Sequence, residues 1–311
     1  TDIASREVVW CRVRVWTDLG LTDWSEPLRL EGTLYQPADW IARPISPLAN
    51  AGQIDPAPVP LLRRAFTIAN PVSSARLYVT ALGIHDISLN GVPASDALFD
   101  PGWTAYQERL LYACHDVTSL LQQGENVLAS AIGDGWWRGN LTWLMKRAVY
   151  GDTTALLAQL EITYADGTCE TITTDETWRG STGSLIQADL YNGCEIDLAR
   201  EPAGWRKPGF DARDWEEVKT LPLPKGLEQR SMAPVREVQS FDVGFRANSR
   251  GTLSVDCGQN ITGYLRLHVT AEDASSVQVR HAEVLETDGS LHTAALREAK
   301  ATDIYHVLPG E

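Results

Sequence analysis

Two short segments of the chain concentrate the side chains that could bind a ligand. The first reads Gly-Asp-Gly-Trp-Trp-Arg-Gly-Asn from Gly133, and the second runs from Asp189 to Arg200. Carboxylate and amide oxygens on loops are ligands that calcium prefers. Tryptophan and tyrosine rings are flat and amphipathic, so they pack in cores and also serve as stacking surfaces for sugar rings. The residue types therefore predict a ligand site, and core packing with turn capping is the alternative.

The elements around the first segment are predicted to form a β-sheet. The run from Val127 to Ile132, apolar except for Ser130, indicates a strand buried on both faces, which ends just before Asp134. Alternation over residues 76–81 indicates a half-buried strand, and Asn90-Gly91 predicts a type I′ hairpin turn. Asp116 is expected to cap a short helix over residues 117–123, and Gly124 is expected to end it.

Five sequence pieces occur in a fixed order between residues 78 and 137. They are Tyr-Val-Thr-Ala-Leu-Gly, Leu-Asn-Gly, Pro-Gly-Trp-Thr-Ala-Tyr, Asp-Val-Thr-Ser-Leu-Leu and Gly-Asp-Gly-Trp-Trp. The ordered set resembles the amino-terminal half of bacterial α-L-rhamnosidases, glycoside hydrolase family 78. Asp-Val-Thr-Ser-Leu-Leu alone also resembles the jelly rolls of β-galactosidases and β-glucuronidases.

The resemblance implies an all-β chain of tandem β-sandwiches. Residues 1–35 resemble part of a fibronectin III-like sandwich. Residues 36–60, with five prolines between Asp39 and Pro60, are expected to be a linker or a surface segment without a central strand. Trp40 is expected to dock onto the domain that follows. Residues 61–222 are predicted to form a galactose-binding-like jelly roll, with strands at 155–164 and 169–174 joined at Asp166-Gly167. Residues 223–311 are predicted to begin a second sandwich, with alternation at 265–269 indicating a strand.

In the resembling family, the jelly roll can act as a calcium-dependent module that binds terminal L-rhamnose. Carried onto this chain, the resemblance implies carbohydrate contacts from seven residues: Asp134, Trp136, Trp137, Tyr191, Asn192, Glu195 and Arg200. It implies calcium ligands from Asp134, Asp189, Asn192 and Asp197.

The second segment departs from the family pattern, which usually reads Tyr-x-Gly-Glu-Thr-Tyr-Asp-Ala-Arg. Glu195 and Arg200 are retained, but Asp197 stands where Tyr is usual and Leu198 stands where Asp is usual. An extra residue also precedes Glu195. These differences alter the ligand geometry that the resemblance implies.

Composition excludes several classes of partner. The chain has 311 residues, 43% of them hydrophobic, and its 27 Lys and Arg against 41 Asp and Glu give a net charge of −14. A chain of this length predicts two or three domains. Nucleic-acid binding depends on cations that neutralise phosphates, so neither nucleic acid nor an anionic membrane is an expected partner.

The five cysteines indicate a reducing compartment. Their number is odd and their spacing is wide, so they predict neither a disulfide framework nor a zinc site: Cys11, Cys114, Cys169, Cys194 and Cys257. Reduced thiols are typical of the cytosol. No signal peptide is recognised, and no apolar run reaches the ~18 residues of a membrane span. A cytoplasmic protein is therefore expected.

No catalytic residue is predicted within the chain. Glycoside hydrolysis needs two carboxylates across the scissile bond, and in the resembling family both lie on an (α/α)₆ barrel, for which this sequence shows no helical periodicity. Asp256 and Glu283 could form an acid–base couple, but a role in holding the sandwich against a barrel is favoured, and His281 is expected to be structural. Three hypotheses remain: accessory domains of an α-L-rhamnosidase, inactive alone; a stand-alone carbohydrate-binding module; and a scaffold that packs beside a barrel.

Overall fold

The computed structural model describes residues 3–50, 52, 54–247 and 251–310. A sheet of 13 strands dominates it. The strands of this sheet are β5 (Ile45–Pro47), β6 (Pro60–Ile68), β7 (Val72–Leu82), β8 (Ile84–His85), β9 (Ser88–Leu89), β10 (Val92–Pro93), β11 (Leu110–Asp116), β12 (Gly124–Gly133), β13 (Ala155–Tyr164), β14 (Cys169–Thr173), β15 (Arg179–Thr182), β18 (Glu216–Thr220) and β19 (Leu227–Gln229). Neighbouring strands follow the order β10-β9-β12-β6-β15-β18-β5-β13-β7-β11-β19, with β8 paired to β12 and β14 paired to β13.

The sheet folds over at β18 and β5, so that its two halves enclose one core. Residues of β6 and β12 pack in the same cluster as residues of β7 and β13, for example Leu62 and Leu128 with Val79 and Leu156. β7 and β13 pair antiparallel from Leu82–Ala155 to Val72–Tyr164. This double-layered arrangement confirms the all-β sandwich prediction.

Local sequence signals account for the connections within the jelly roll. Asn90 and Gly91 take φ values of 56° and 84°, as a type I′ turn requires, and the predicted hairpin at Asp166-Gly167 joins β13 to β14. The predicted helix over 117–123 shortens to a 3₁₀ turn at Thr118–Leu120. There the Asp116 carboxylate accepts the Thr118 N–H at 3.1 Å, and Gly124 has φ 93°.

The proline-rich segment before the jelly roll is part of it. The prediction that this segment holds no central strand is wrong, because β5 pairs with β13 on one side and β18 on the other. Short 3₁₀ turns lie beside it at Pro37–Asp39 and Leu48–Asn50. Trp40 is buried and meets Tyr78 and Tyr112 edge-on, which confirms its predicted docking.

The amino-terminal segment forms two small antiparallel pairs with exposed apolar side chains. β1 (Val8–Cys11) pairs with β4 (Leu28–Glu31), and β2 (Trp16–Thr17) pairs with β3 (Gly20–Leu21). The segment is tied to the jelly roll by Arg6, which bonds Asp39 at 2.8 Å and Glu161 at 2.6 Å.

A four-stranded sheet links the jelly roll to the carboxy-terminal part. β16 (Leu185–Asp189) and β17 (Gly193–Asp197) form a hairpin, and β17 pairs in parallel with β23 (Thr302–Val307), which pairs with β22 (Ser275–Arg280). A separate pair joins β20 (Phe245–Ala247) to β21 (Leu253–Val255). Residues 198–200 and 294–296 form 3₁₀ turns. The strand predicted at 265–269 is absent from this part of the described chain, so that prediction is wrong.

Helices are minor elements. The α-helix α1 (Gly135–Arg138) is a single turn at the end of β12. Across the described ranges, no helix has the length and hydropathy needed to span a bilayer.

Candidate functional site

The turn after β12 directs Asp134 into the protein. Gly135 has φ 53°, and a β-carbon there would press against Ile84, so glycine allows the chain to turn tightly from strand into α1. Asp134 is only 4% exposed. Its Oδ1 accepts Arg138 Nε at 2.7 Å and pairs with Nη2 at 2.6 Å. Asp134 is therefore an ion-pair partner rather than a surface ligand.

Arg147 joins the two sequence-predicted segments. Its Nη2 lies 2.5 Å from Asp134 Oδ2, and its Nη1 lies 3.5 Å from Asp189 Oδ2. The Asp134 turn and the Tyr191–Asn192 turn are therefore connected by an arginine from a third loop.

Asp189 organises the turn of the β16–β17 hairpin. Its Oδ1 accepts the backbone N–H groups of Tyr191 and Asn192, both at 3.0 Å. Its Oδ2 accepts the backbone and side-chain N–H groups of Asn140 at 2.8 and 2.9 Å. The side chain is fully buried, so every one of its contacts is protected from water.

The four groups Asp134, Arg138, Arg147 and Asp189 form a buried network of two anions and two cations. Asn50 extends it by accepting Arg138 Nη1 at 2.7 Å. A charge-balanced set of this kind is tolerated in a protein interior, whereas removing one member leaves an uncompensated buried charge. The network therefore fixes the relative position of α1 and the hairpin.

The predicted calcium ligands do not fit a calcium site in this arrangement. Both oxygens of Asp134 and both of Asp189 already accept N–H donors, while calcium needs six to eight oxygens. Across the described residues, no group of three or more His, Cys, Asp or Glu is arranged to hold a metal ion. Calcium binding stays a prediction that these contacts do not support.

The paired tryptophans have different environments. Trp137 is half-buried; its Nε1 donates to the Thr153 carbonyl at 2.9 Å, and Tyr106 meets it edge-on. Trp136 stacks on Trp103 with the ring planes 4° apart and the centroids 6.2 Å apart. Trp103 is 54% exposed, so this indole pair presents a flat apolar surface to solvent.

The other predicted contacts belong to the four-stranded sheet and its flank. Glu195 bonds His306 Nε2 at 2.9 Å, and the Asp197 carboxylate accepts Ala199 N–H and pairs with Arg200 at 3.3 Å. Asn192 Oδ1 accepts Lys300 N–H at 3.3 Å. Glu195 and Asn192 thus join the β16–β17 hairpin to the carboxy-terminal part of the chain, whereas the Asp197 contacts are local.

The seam between β17 and β23 is centred on Asp303. Its Oδ1 accepts the Cys194 N–H at 2.9 Å and lies 3.2 Å from Cys194 Sγ, and its Oδ2 lies 3.1 Å from His281 Nε2. Burial, followed by the Asp303 carboxylate, raises the pKa of the Cys194 thiol to about 12. Cys194 is therefore protonated at neutral pH and is not a nucleophile.

The Asp256–Glu283 couple considered from the sequence has ordinary surroundings. Asp256 is exposed and accepts the Gly258 N–H at 2.8 Å in a turn. Glu283 is also exposed. His281 bonds Asp303 as a structural histidine would.

Sequence reasoning missed the cations of the network and the exposed indole. Arg138 lies four residues after Asp134, a spacing that predicts an ion pair on a helix. Trp103 stands in the quoted Pro-Gly-Trp-Thr piece. Nothing in the sequence points to Arg147, because its loop lies between the two segments without a motif of its own.

Fold and site together define a protein of tandem β-sandwich domains. Its jelly roll buries the two turn carboxylates, Asp134 and Asp189. Comparison with known proteins makes the class specific. The family model for the α-L-rhamnosidase N-terminal domain matches residues 70–239, and that for the bacterial α-L-rhamnosidase concanavalin-like domain matches residues 246–311. The chain belongs to the bacterial α-L-rhamnosidase family.

Individual relatives agree with this assignment. An α-L-rhamnosidase of Streptomyces avermitilis is 40% identical over 86% of this chain and 26% of its own length, and one of an Alteromonas species is 34% identical over 97% of this chain and 34% of its own. The solved α-L-rhamnosidase of Aspergillus terreus superposes with a TM-score of 0.94 at 35% identity, over 99% of this chain and 36% of that one. The S. avermitilis enzyme complexed with L-rhamnose gives a TM-score of 0.79 at 33% identity, over 97% of this chain and 31% of that one. The chain thus spans about a quarter to a third of the relatives' lengths.

Proposed function

We propose that this chain forms accessory β-domains of an α-L-rhamnosidase that acts on terminal α-L-rhamnosides, and that a helical barrel of the same protein carries out catalysis. The observation that carries the proposal is the superposition of 99% of the chain on 36% of the A. terreus enzyme. In this role, residues 3–310 supply a rigid support rather than reacting groups.

The buried network favours a supporting role for the jelly roll. Hydrolysis of a glycoside needs one carboxyl group to protonate the leaving oxygen and a second to act as nucleophile or base. Asp134 and Asp189 are the buried carboxylates of the two predicted ligand segments, and both are committed to arginines and N–H donors. They cannot exchange protons with a substrate without breaking the network.

The experiment compares the complete gene product with a version that begins after residue 311. We expect the shortened protein to lose at least half of its soluble yield and to melt at a lower temperature, because it lacks its support. Addition of the purified 311-residue chain alone to an aryl α-L-rhamnoside is expected to give no product. Undiminished stability of the shortened protein would contradict the supporting role.

A second candidate function is carbohydrate binding by the jelly roll. It rests on the flat, exposed surface of Trp103 stacked on Trp136, beside the turn that Asp134 and Arg147 hold in place. L-rhamnose is the proposed ligand, since the relatives are α-L-rhamnosidases.

Titration calorimetry with L-rhamnose tests this candidate, in parallel runs with calcium and with a chelator. Trp103→Ala is expected to abolish binding without unfolding the protein, whereas Trp16→Ala is the matched control because Trp16 is 78% exposed at the other end of the chain. Absence of heat with the unmodified chain would rule out the binding function while leaving the supporting function intact.

A further inference from the structure

Two histidines lie unpartnered beneath a surface segment of the jelly roll. Both ring nitrogens of His85 and Nε2 of His115 are buried without a hydrogen-bond partner. Buried polar atoms are almost always paired, so three orphan nitrogens at one place require an explanation. His85 lies on β8 and His115 on β11, and the two rings are near enough to influence each other electrostatically.

The segment above them, residues 226–236, is a strap that crosses the jelly roll. It begins with β19, which pairs in parallel with β11, and the Arg230 N–H continues the pairing by donating to the Tyr112 carbonyl at 2.9 Å. Farther along, the Val235 carbonyl accepts the Leu98 N–H at 2.8 Å, and Arg236 bonds Asp96 at 2.7 Å.

Arg230 is the inner anchor of the strap. Its guanidinium pairs with the Asp100 carboxylate, and both side chains are largely buried. Most other strap residues are exposed, including Met232 at 69% and Val235 at 56%. A segment with few buried contacts opens at low free-energy cost, and the Arg230–Asp100 pair is a buried ion pair that holds this segment closed.

The charges around the histidines are few. His85 faces His115 and Arg230, while His115 faces Arg230, Asp100 and Asp96. Burial, then the neighbouring His115 and Arg230, lowers the pKa of His85 to about 3, and burial together with Arg230 lowers the pKa of His115 against the opposing pull of Asp100. With both rings neutral, Arg230 and Asp100 balance each other.

We propose that residues 226–236 form a pH-sensitive strap, which acid releases by protonating His85 and His115. A proton on either imidazole adds a second cation beside Arg230. Asp100 can then bond imidazolium from His115 in place of guanidinium, and Arg230 leaves with the strap. Because the strap leads from the jelly roll into the concanavalin-like region, its release loosens the connection between these two parts.

The expected size follows from linkage. A histidine that is neutral when the strap is closed and has an ordinary pKa of 6.5 when it is open favours opening by about 30-fold more at pH 5.0 than at pH 7.5. Because the pKa is lowered in the closed state, the closed form is favoured above pH 6.5 and loses its advantage as pH falls. His115, whose pKa is also lowered in the closed state, adds to this factor when it becomes exposed.

Hydrogen exchange by mass spectrometry on the 311-residue chain tests the strap. After correction for the pH dependence of chemical exchange, we expect peptides covering residues 226–236 to lose at least 30-fold protection at pH 5.0 relative to pH 7.5. Strand β13 serves as the internal reference, and its protection is expected to change far less.

His115→Gln keeps a polar side chain that does not titrate, and it is expected to reduce the pH effect on the strap markedly. His85→Phe/His115→Gln is expected to remove the effect, while the control His292→Gln, at a histidine paired with Glu286, is expected to leave it unchanged. If His85→Phe prevents folding, His115→Gln alone decides. Two results would overturn the proposal. One is protection that does not depend on pH in the unmodified chain, which two neutral rings bridged by a buried water would give. The other is an undiminished pH effect in His115→Gln.

Discussion

Replacement of Asp134 by alanine is the sharpest perturbation of the buried network. Asp134 accepts Arg138 at 2.7 Å and Arg147 at 2.5 Å, so its loss leaves two guanidinium groups with Asp189 as their remaining anionic partner. Breaking a buried ion pair by removing one member costs about 3–5 kcal/mol. At about 2–4 °C per kcal/mol for a domain of this size, the melting temperature is expected to fall by about 6–20 °C.

The assay is thermal and urea unfolding of the 311-residue chain, followed by tryptophan fluorescence. Asp211→Ala is the matched control, because Asp211 pairs with Arg213 on the surface and exposed pairs contribute little. We expect the control to melt like the unmodified chain.

A double substitution separates lost charge balance from lost packing. Asp134→Ala/Arg138→Met removes one anion and one cation, and replacing a buried pair by apolar groups is often close to neutral. The double variant is therefore expected to recover part of the stability lost in Asp134→Ala. Equal melting temperatures for Asp134→Ala and Asp211→Ala would refute the reasoning, since Asp134 would then not be a member of a buried network.

Three further predictions concern packing, thiol reactivity and metal. Trp40→Ala is expected to lower the free energy of unfolding by about 3–5 kcal/mol because it empties a buried aromatic site, and urea midpoints compared with exposed Trp16→Ala measure this. In the native chain, iodoacetamide at pH 7.5 is expected to label the exposed Cys11 and Cys169 and to spare Cys114 and Cys194, because burial raises the pKa of the latter two thiols to about 12. Mass spectrometry of tryptic peptides measures the labelling of each cysteine. Rapid labelling of Cys194 would contradict its burial between β17 and β23. Replacing calcium by a chelator is expected to leave the melting temperature unchanged. A ligand stabilises only the state that binds it, and the Asp134 and Asp189 oxygens already accept N–H donors. A melting temperature several degrees higher with calcium would show that these oxygens bind the ion instead.

Local chemistry made much of the jelly roll predictable. Asn90-Gly91 specifies its own turn, and the apolar run at 127–132 forms the centre of β12 as predicted, since burial on both faces leaves no alternation. Signals of this kind depend only on nearby residues. The docking of Trp40, by contrast, was expected from the family resemblance, and its burial agrees with that expectation.

The features that the sequence did not reveal depend on distant partners. The parallel pairing of β17 with β23 joins residues more than a hundred positions apart, for example Glu195 with Ile304, and no local pattern encodes it. The alternation at 265–269 looked like a strand, but alternation alone supplies no partner for the backbone. Asp134 was predicted to bind calcium and sugar because nothing in the sequence indicated its ion pair with Arg147, which comes from a loop without a motif.

The claim that this chain supports catalysis without performing it is tested most directly by hydrolysis of an aryl α-L-rhamnoside. The purified 311-residue chain and the complete gene product are assayed side by side at equal molar concentration. We predict turnover by the complete protein and none by the chain. Turnover by the chain itself, abolished by a single substitution such as Glu195→Gln or Asp134→Ala in a variant that still folds, would place the catalytic site within these residues and contradict the account.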